Sequence, residues 1–329
     1  MSGGPESLVP LTERILARVP APRSLTIVLW ALVPWLNAGG NLLLAEDERS
    51  AVWEQRGVVV ALSYAALSLA VLIALWGSLR IAHKLDGVGA AVDDVLEGDT
   101  TAAFREVDSV AGPLVVAAAA AAVFGLSALV DDGWLPALLR GATWLVLGLA
   151  IATFLWTYAS LQIGLHRLGA LRLRPSAVHL DPGLGLRPLG NVAFMGLWVL
   201  LAWLVPVLLT ALPDALAVAI GVLVLAAALA AFFLSLFRLH RRMVGLKAQE
   251  LALARGLYAQ AYEPVRAAPT LDVLEQQHGL LSAADALERR ARAIHDWPID
   301  EGTFARVLTI ATSVVGITVA RLILDPFGL

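Results

Sequence analysis

The sequence predicts an all-α, polytopic integral membrane protein with seven transmembrane helices, a cytosolic N-terminus and a helical cytosolic extension. Three observations predict this. The 329 residues are 59% hydrophobic and 16% charged, with a mean hydropathy of +0.76. Soluble domains average about 45–50% apolar and about 25% charged. The apolar residues lie in long uncharged blocks, each near the roughly 20 residues that cross about 30 Å of hydrocarbon. The basic residues between the blocks are strongly biased to one side.

Six blocks are clear: Ser24–Ala45, Gly57–Ser78, Gly112–Val130, Gly141–Gly164, Gly190–Leu212 and Ala215–Phe237. A seventh, Thr303–Leu324, is shorter. Its uncharged part, Val307–Ala320, has 14 residues, so Arg306 and Arg321 would have to snorkel toward opposite surfaces. A buried or re-entrant helix is the alternative there. The expected organisation is a cytosolic N-tail (1–23), a six-helix membrane region (24–237), a cytosolic helical segment (238–302) and a final spanning helix with the C-terminus (303–329). Met1–Arg23 carries Arg14, Arg18 and Arg23 and reads as a retained anchor rather than a cleaved signal. Within it, Leu8–Val19 suits a short amphipathic helix on the membrane surface.

Placing the N-terminus inside puts nineteen Lys and Arg on the cytosolic side and three, Arg49, Arg56 and Arg140, outside. That asymmetry orients the chain in a cell membrane, most simply a bacterial plasma membrane. The outer connections are short. Glu46–Arg56 reads as a carboxylate-rich loop, and Asp131–Trp134 and Pro213–Asp214 as tight turns. The carboxylates are either solvated turn residues or a rim that concentrates cations.

The cytosolic side carries the bulk. No proline interrupts Ala215–Tyr262, and a single helix there would be roughly 70 Å long at 1.5 Å per residue. Its projecting part sets Leu239, Met243, Leu246, Leu253 and Leu257 at heptad spacing, which makes them candidate oligomer contacts. A second helix is expected from Ser282, with Asp285 in a variant capping box. Its face is Leu280, Ala284, Leu287, Ala291 and Ile294. These faces need a partner, either each other or a second subunit. Pro298 disfavours helix at Trp297, and Asp300 suits the N-cap of the last helix.

The cores of the six clear spans hold no Asp, Glu, Lys, Arg or His. Intramembrane ionisable groups mark proton relays and intramembrane catalysis, so a proton-coupled carrier and an intramembrane aspartyl protease are disfavoured. There is no Cys. The six His show no ligand spacing, and no phosphate-binding loop or nucleophile elbow occurs. The expectation is a non-enzyme with no cofactor, no metal and no nucleic-acid partner, whose constant partner is the lipid bilayer.

Two polar stripes remain. Thr153, Thr157 and Ser160 share one helix face. In the last segment Thr309, Ser313, Gly316 and Ala320 do so, with Thr312 beside them. Such residues either let membrane helices approach closely or line a weakly selective pore. The first span is broken up by Pro34, Asn37, Gly39, Gly40 and Asn41, which reads as a buried kink or the wall of a ligand pocket.

Two stretches resemble a family of uncharacterised bacterial multi-pass membrane proteins. His179–Gly190 looks like that family's His-Pro-Asp…Gly-Gly-Leu loop, although Leu180 precedes Asp181-Pro182 and Gly183-Leu184-Gly185 replaces the double glycine. Trp297-Pro298-Ile299-Asp300 is similar to its Trp-Pro-Phe-Asp segment. The resemblance brings no activity. In topology alone, the chain also resembles the insect odorant and gustatory receptor type of channel. That likeness implies a homotetramer joined by cytosolic helices, with a pore lined by the last helix. The leading expectation is therefore an oligomeric, cation-conducting channel, ligand-gated by an unknown small molecule. The alternative is a non-transporting membrane sensor or scaffold acting through its cytosolic helices.

Overall fold

The structure is a computed structural model that describes residues 8–44, 47–100, 102–131, 133–174, 182–211 and 215–299, with 302, 305, 306, 309, 312, 313 and 316 beyond them. Among the described residues it is all-α apart from one small strand pair. Among the described residues, five helices are long and apolar enough to cross a membrane. They carry large apolar side chains on their outer surfaces, among them Val58, Leu62, Val115, Val123, Leu126 and Leu223. Water would not tolerate such a belt, but hydrocarbon does. The chain is a multi-pass membrane protein.

The N-terminal helix α1 (Leu11–Arg18) is docked on the rest of the chain. It buries Leu11 and Leu16. Two aspartates accept hydrogen bonds from the backbone leading into it: Leu8 N–H to Asp86 at 2.9 Å and Val9 N–H to Asp108 at 2.7 Å. Arg14 pairs with Asp108 at 3.1 Å.

The first expected span is two short helices, α2 (Arg23–Ala31) and α3 (Val33–Leu44), joined at Leu32. Pro34 explains the break, since it has no N–H for the Trp30 carbonyl and its ring crowds the preceding turn. At 9 and 12 residues, neither half alone reaches the roughly 20 residues that cross a bilayer. The pair is still held, because the Trp30 indole donates to the Val146 carbonyl at 2.8 Å.

Helix α4 (Asp47–Val92) is 46 residues long. The expected outer loop Glu46–Arg56 is therefore helical from Asp47 onward. Helix formation extends through these charges because nothing between Asp47 and Val92 is a proline. After α4 come strand β1 (Leu96–Glu97) and a 3-10 helix (Ala102–Asp108). β1 pairs antiparallel with β2 (Arg172–Leu173), Leu96 opposite Leu173 and Glu97 opposite Arg172. The Thr100 hydroxyl donates to the Asp93 carboxylate within this turn.

Helices α5 (Ala111–Asp131) and α6 (Trp134–Leu168) form the tightest hairpin. Gly133 turns the chain with φ +92°, a conformation that costs glycine little. Small residues let the two backbones close in: a Cβ on Gly125 would sit 3.4 Å from Gly141 Cα, and one on Gly148 would sit 3.3 Å from Ala117 Cα. Phe124 and Trp144 stack across the pair at 4.0 Å.

Helix α7 (Arg187–Ala211) packs on α4, and α8 (Ala215–Ala267) packs on α6 and α7 before leaving the bundle. At 53 residues, α8 is roughly 80 Å long. Helix α9 (Leu271–Ala293) folds back along it. The expected second helix start at Ser282 is corrected here, since α9 begins eleven positions earlier at Leu271. Ser282 sits mid-helix, its hydroxyl donating to the His278 carbonyl at 2.9 Å. A serine–aspartate pair three apart fits a helix interior as well as a cap, because Ser can bond back to i−4. Ala254 and Ala261 on α8, and Ala284 and Ala291 on α9, are almost fully buried. Ala284, Ala291 and Ile294 of the predicted α9 face are thus buried within the chain, whereas Leu280 stays exposed.

The segments expected on the cytosolic side do share one end of the molecule. Leu8 bonds to the end of α4, and Arg167 at the end of α6 pairs with Glu106 at 2.6 Å. Arg242 on α8 donates to the Ala170 carbonyl at 2.7 Å.

Candidate functional site

The stripe on α6 lies inside the bundle. Thr153, Thr157 and Ser160 are each at most 2% exposed. The Thr153 hydroxyl donates to the Leu149 carbonyl at 2.6 Å, and that of Thr157 to the Thr153 carbonyl at 2.8 Å. Both hydroxyls are thus turned back onto their own helix. Nearby, Ser235 Oγ lies 2.6 Å from Gln162 Oε1 and 2.8 Å from the Phe232 carbonyl. The Tyr158 hydroxyl donates to the Ala228 carbonyl at 3.2 Å. These polar contacts tie α6 to α8 without any charged group.

In the last segment, Thr309, Thr312, Ser313 and Gly316 are helical and exposed. Thr309 donates to the Ala305 carbonyl at 2.9 Å and Ser313 to the Thr309 carbonyl at 2.8 Å. A Cβ on Gly316 would meet nothing within 4 Å. Ala320 lies outside the described residues, as do Asp181, Pro213, Asp214, Asp300 and Glu301.

The candidate oligomer contacts divide. Leu239 and Met243 are fully buried in the chain's own core, and Leu246 packs against it. Leu257 is half-buried and Leu253 is 53% exposed. Only the outer part of the seam faces away from the chain.

The two stretches singled out by resemblance meet in space. The His295 N–H donates to the Pro182 carbonyl at 2.9 Å. A methyl on Gly190 would collide with the Pro298 carbonyl oxygen and lie 2.7 Å from Ile299 Cγ2. Glycine is thus the residue that lets the 297–299 turn sit on the start of α7. On the other stretch Leu184 holds φ +54°, which costs a bulky residue steric strain. Its side chain is fully buried beside Leu186 and Leu189, and that burial holds the turn.

This meeting point forms the base of the α8–α9 hairpin. Trp297 stacks on the His240 ring at 4.2 Å and meets Phe233 edge-on at 6.3 Å. His240 Nδ1 lies 2.7 Å from the Asp296 carbonyl oxygen, and Lys247 pairs with the Asp296 carboxylate at 2.8 Å. A cavity of about 700 Å³ opens here, lined by Lys247, Arg292, His295, Asp296, Trp297 and apolar neighbours. Sequence reasoning marked Trp297 but missed the cavity. Lys247 and Asp296 are 49 positions apart, and only the fold-back of α9 brings them together. Among the described residues no cluster of His, Asp and Glu is placed to hold a metal ion.

No family model, curated protein or solved structure matches this chain. Its class rests on its own helices and their apolar surface.

Proposed function

We propose that the chain is a non-enzymatic membrane sensor or scaffold that acts through the α8–α9 hairpin on the cytosolic side of a cell membrane. The observation that carries this is the hairpin's form. From Arg238 to Ala267, α8 runs roughly 45 Å past its apolar stretch, and α9 braces it through buried alanines. The inner seam is spent on the chain's own core. The outer end still exposes Leu253, Tyr262, Leu271 and Leu274. An apolar tip on a stiff, otherwise polar arm is suited to docking a soluble protein. The test is photo-crosslinking in intact cells from Leu253, Tyr262 and Leu271. One and the same soluble protein captured from all three positions, and lost in Leu274→Glu, supports the proposal. Capture of lipid alone refutes it.

A second reading, the oligomeric cation channel with a small-molecule gate, draws on the last segment. Thr309, Thr312, Ser313 and Gly316 present an exposed, small and polar face, which only a neighbouring copy could enclose as a pore. Purified protein in liposomes should then pass cations, and Gly316→Leu should close the path. Absence of flux from wild-type protein removes this reading.

A further inference from the structure

We propose that the cavity at the base of the hairpin binds a phosphate-bearing zwitterion, of the ethanolamine-phosphate type carried by aminophospholipid heads and by their soluble phosphoesters. The site is independent of whatever the hairpin tip docks.

Size permits it. The cavity measures about 700 Å³, within the roughly 300–1,000 Å³ of small-molecule sites. Charge selects the ligand. Lys247 and Arg292 bring two cations, Asp296 one carboxylate, and His295 an imidazole ring. The charges are already compensated: Lys247 bonds Asp296 at 2.8 Å, and Arg292 bonds Glu288 at 2.5 Å. The C-terminus of α9 also ends at the cavity, and its carbonyls give that end a partial negative charge. A simple anion would meet Asp296 and that helix end. A simple cation would meet Lys247 and Arg292. A zwitterion satisfies both sets: its phosphate takes Arg292 and Lys247, and its ammonium takes Asp296 and the α9 carbonyls. The Lys247–Asp296 pair is exchanged for two equivalent pairs, formed where the Asp296 and Arg292 side chains are 55% and 72% exposed.

Position favours a headgroup. Trp297 rests on Phe233 and His240, on either side of the step from Phe237 to Arg238 where α8 turns from apolar to basic. Trp is enriched at this depth because it is apolar at one end and polar at the other. Ile294 and Ile299 add apolar wall for the glyceryl end of a lipid.

The experiment uses purified full-length protein in detergent. Native mass spectrometry reads retention of added phosphatidylethanolamine against phosphatidylglycerol, and calorimetry reads soluble phosphoethanolamine. Wild type should retain phosphatidylethanolamine preferentially. Arg292→Ala leaves the Lys247–Asp296 pair in place and should lower retention about two- to fivefold, the scale of a solvent-exposed charged pair. Asp296→Asn should erase the preference for the amine-bearing head. Arg289→Ala, outside the cavity lining, should change neither. Binding of phosphoethanolamine alone, sensitive to Arg292→Ala, assigns the same site to a soluble phosphoester. Equal retention of the two lipids by wild type together with no binding of phosphoethanolamine, or binding of either ligand unchanged in Arg292→Ala, overturns the proposal. Melting curves verify folding, and Arg292→Ala decides the matter if Asp296→Asn unfolds. The crosslinking result at the hairpin tip bears on none of these readings.

Discussion

The membrane bundle and the α8–α9 hairpin are both helix packed on helix, but they are inverted in how they hold together. The bundle is apolar on its outside, so burying apolar area cannot drive its association in hydrocarbon. It relies on close approach at small residues, as between Gly125 and Gly141, and on polar contacts such as Ser235 with Gln162. The hairpin has a polar outside with ion pairs such as Arg289–Asp285 at 2.7 Å, and an inside of alanines and a few larger apolar groups. There the hydrophobic effect operates, but narrow alanine contacts give it little area per residue. The bundle should therefore fail through steric intrusion and the hairpin through loss of seam geometry, each without the other.

The largest effect is expected where the two regions join. In Gly190→Val the new side chain meets the Pro298 carbonyl, a backbone atom that cannot rotate away. The cost should exceed about 3 kcal/mol, read as a lowered melting temperature in detergent. Release of the 297–299 turn should also quench or shift Trp297 emission. A melting curve unchanged from wild type would mean that the junction does not hold the hairpin.

Next is Ala284→Leu. The position is fully buried between α8 and α9, and added methylenes in a packed seam cost about 1–3 kcal/mol. Hydrogen exchange should rise along α9 and the outer half of α8 while α5 and α6 keep their protection. Faster exchange in the bundle as well would show that the two regions unfold as one unit.

A smaller effect tests the bundle's polar stripe. Thr157→Val keeps the shape and removes a hydroxyl that only bonds back to the Thr153 carbonyl at 2.8 Å. Stability should change by less than about 1 kcal/mol. A larger loss would show that this hydroxyl serves more than its own helix.

Much of this contrast is legible in sequence, and the exceptions have physical causes. Length, charge bias and uncharged blocks are properties of single segments, and they yield the all-α class and the long helix after Ala215. The break at Leu32 follows from Pro34, yet proline is tolerated inside α7 at Pro206 and inside α8 at Pro264, so a proline alone does not determine where a helix ends. The start of α9 at Leu271 carries a local signal, since Thr270 is a favoured N-cap residue and Asp272 an acid in the first turn, although the Thr270 side chain makes no cap hydrogen bond. Heptad spacing picks out Leu239, Met243 and Ala284, all buried within the chain, but spacing has no information about which surface is the partner. The β1–β2 pair and the cavity at Lys247 and Asp296 depend on contacts between distant segments, and nothing local encodes them.

The smallest effect is expected from Arg289→Ala on the hairpin's outer face. The Arg289 side chain is 75% exposed and that of Asp285 48%, so water and salt screen most of their attraction. An exposed i,i+4 pair contributes about 0.3–0.5 kcal/mol, within the scatter of a melting curve. The informative readout is salt dependence. If the hairpin stands on its alanine seam, wild type and Arg289→Ala should lose protection in parallel as ionic strength rises. If ion pairs hold it, wild type should converge on the variant at high salt, and the alanines would then be spacers rather than the seam.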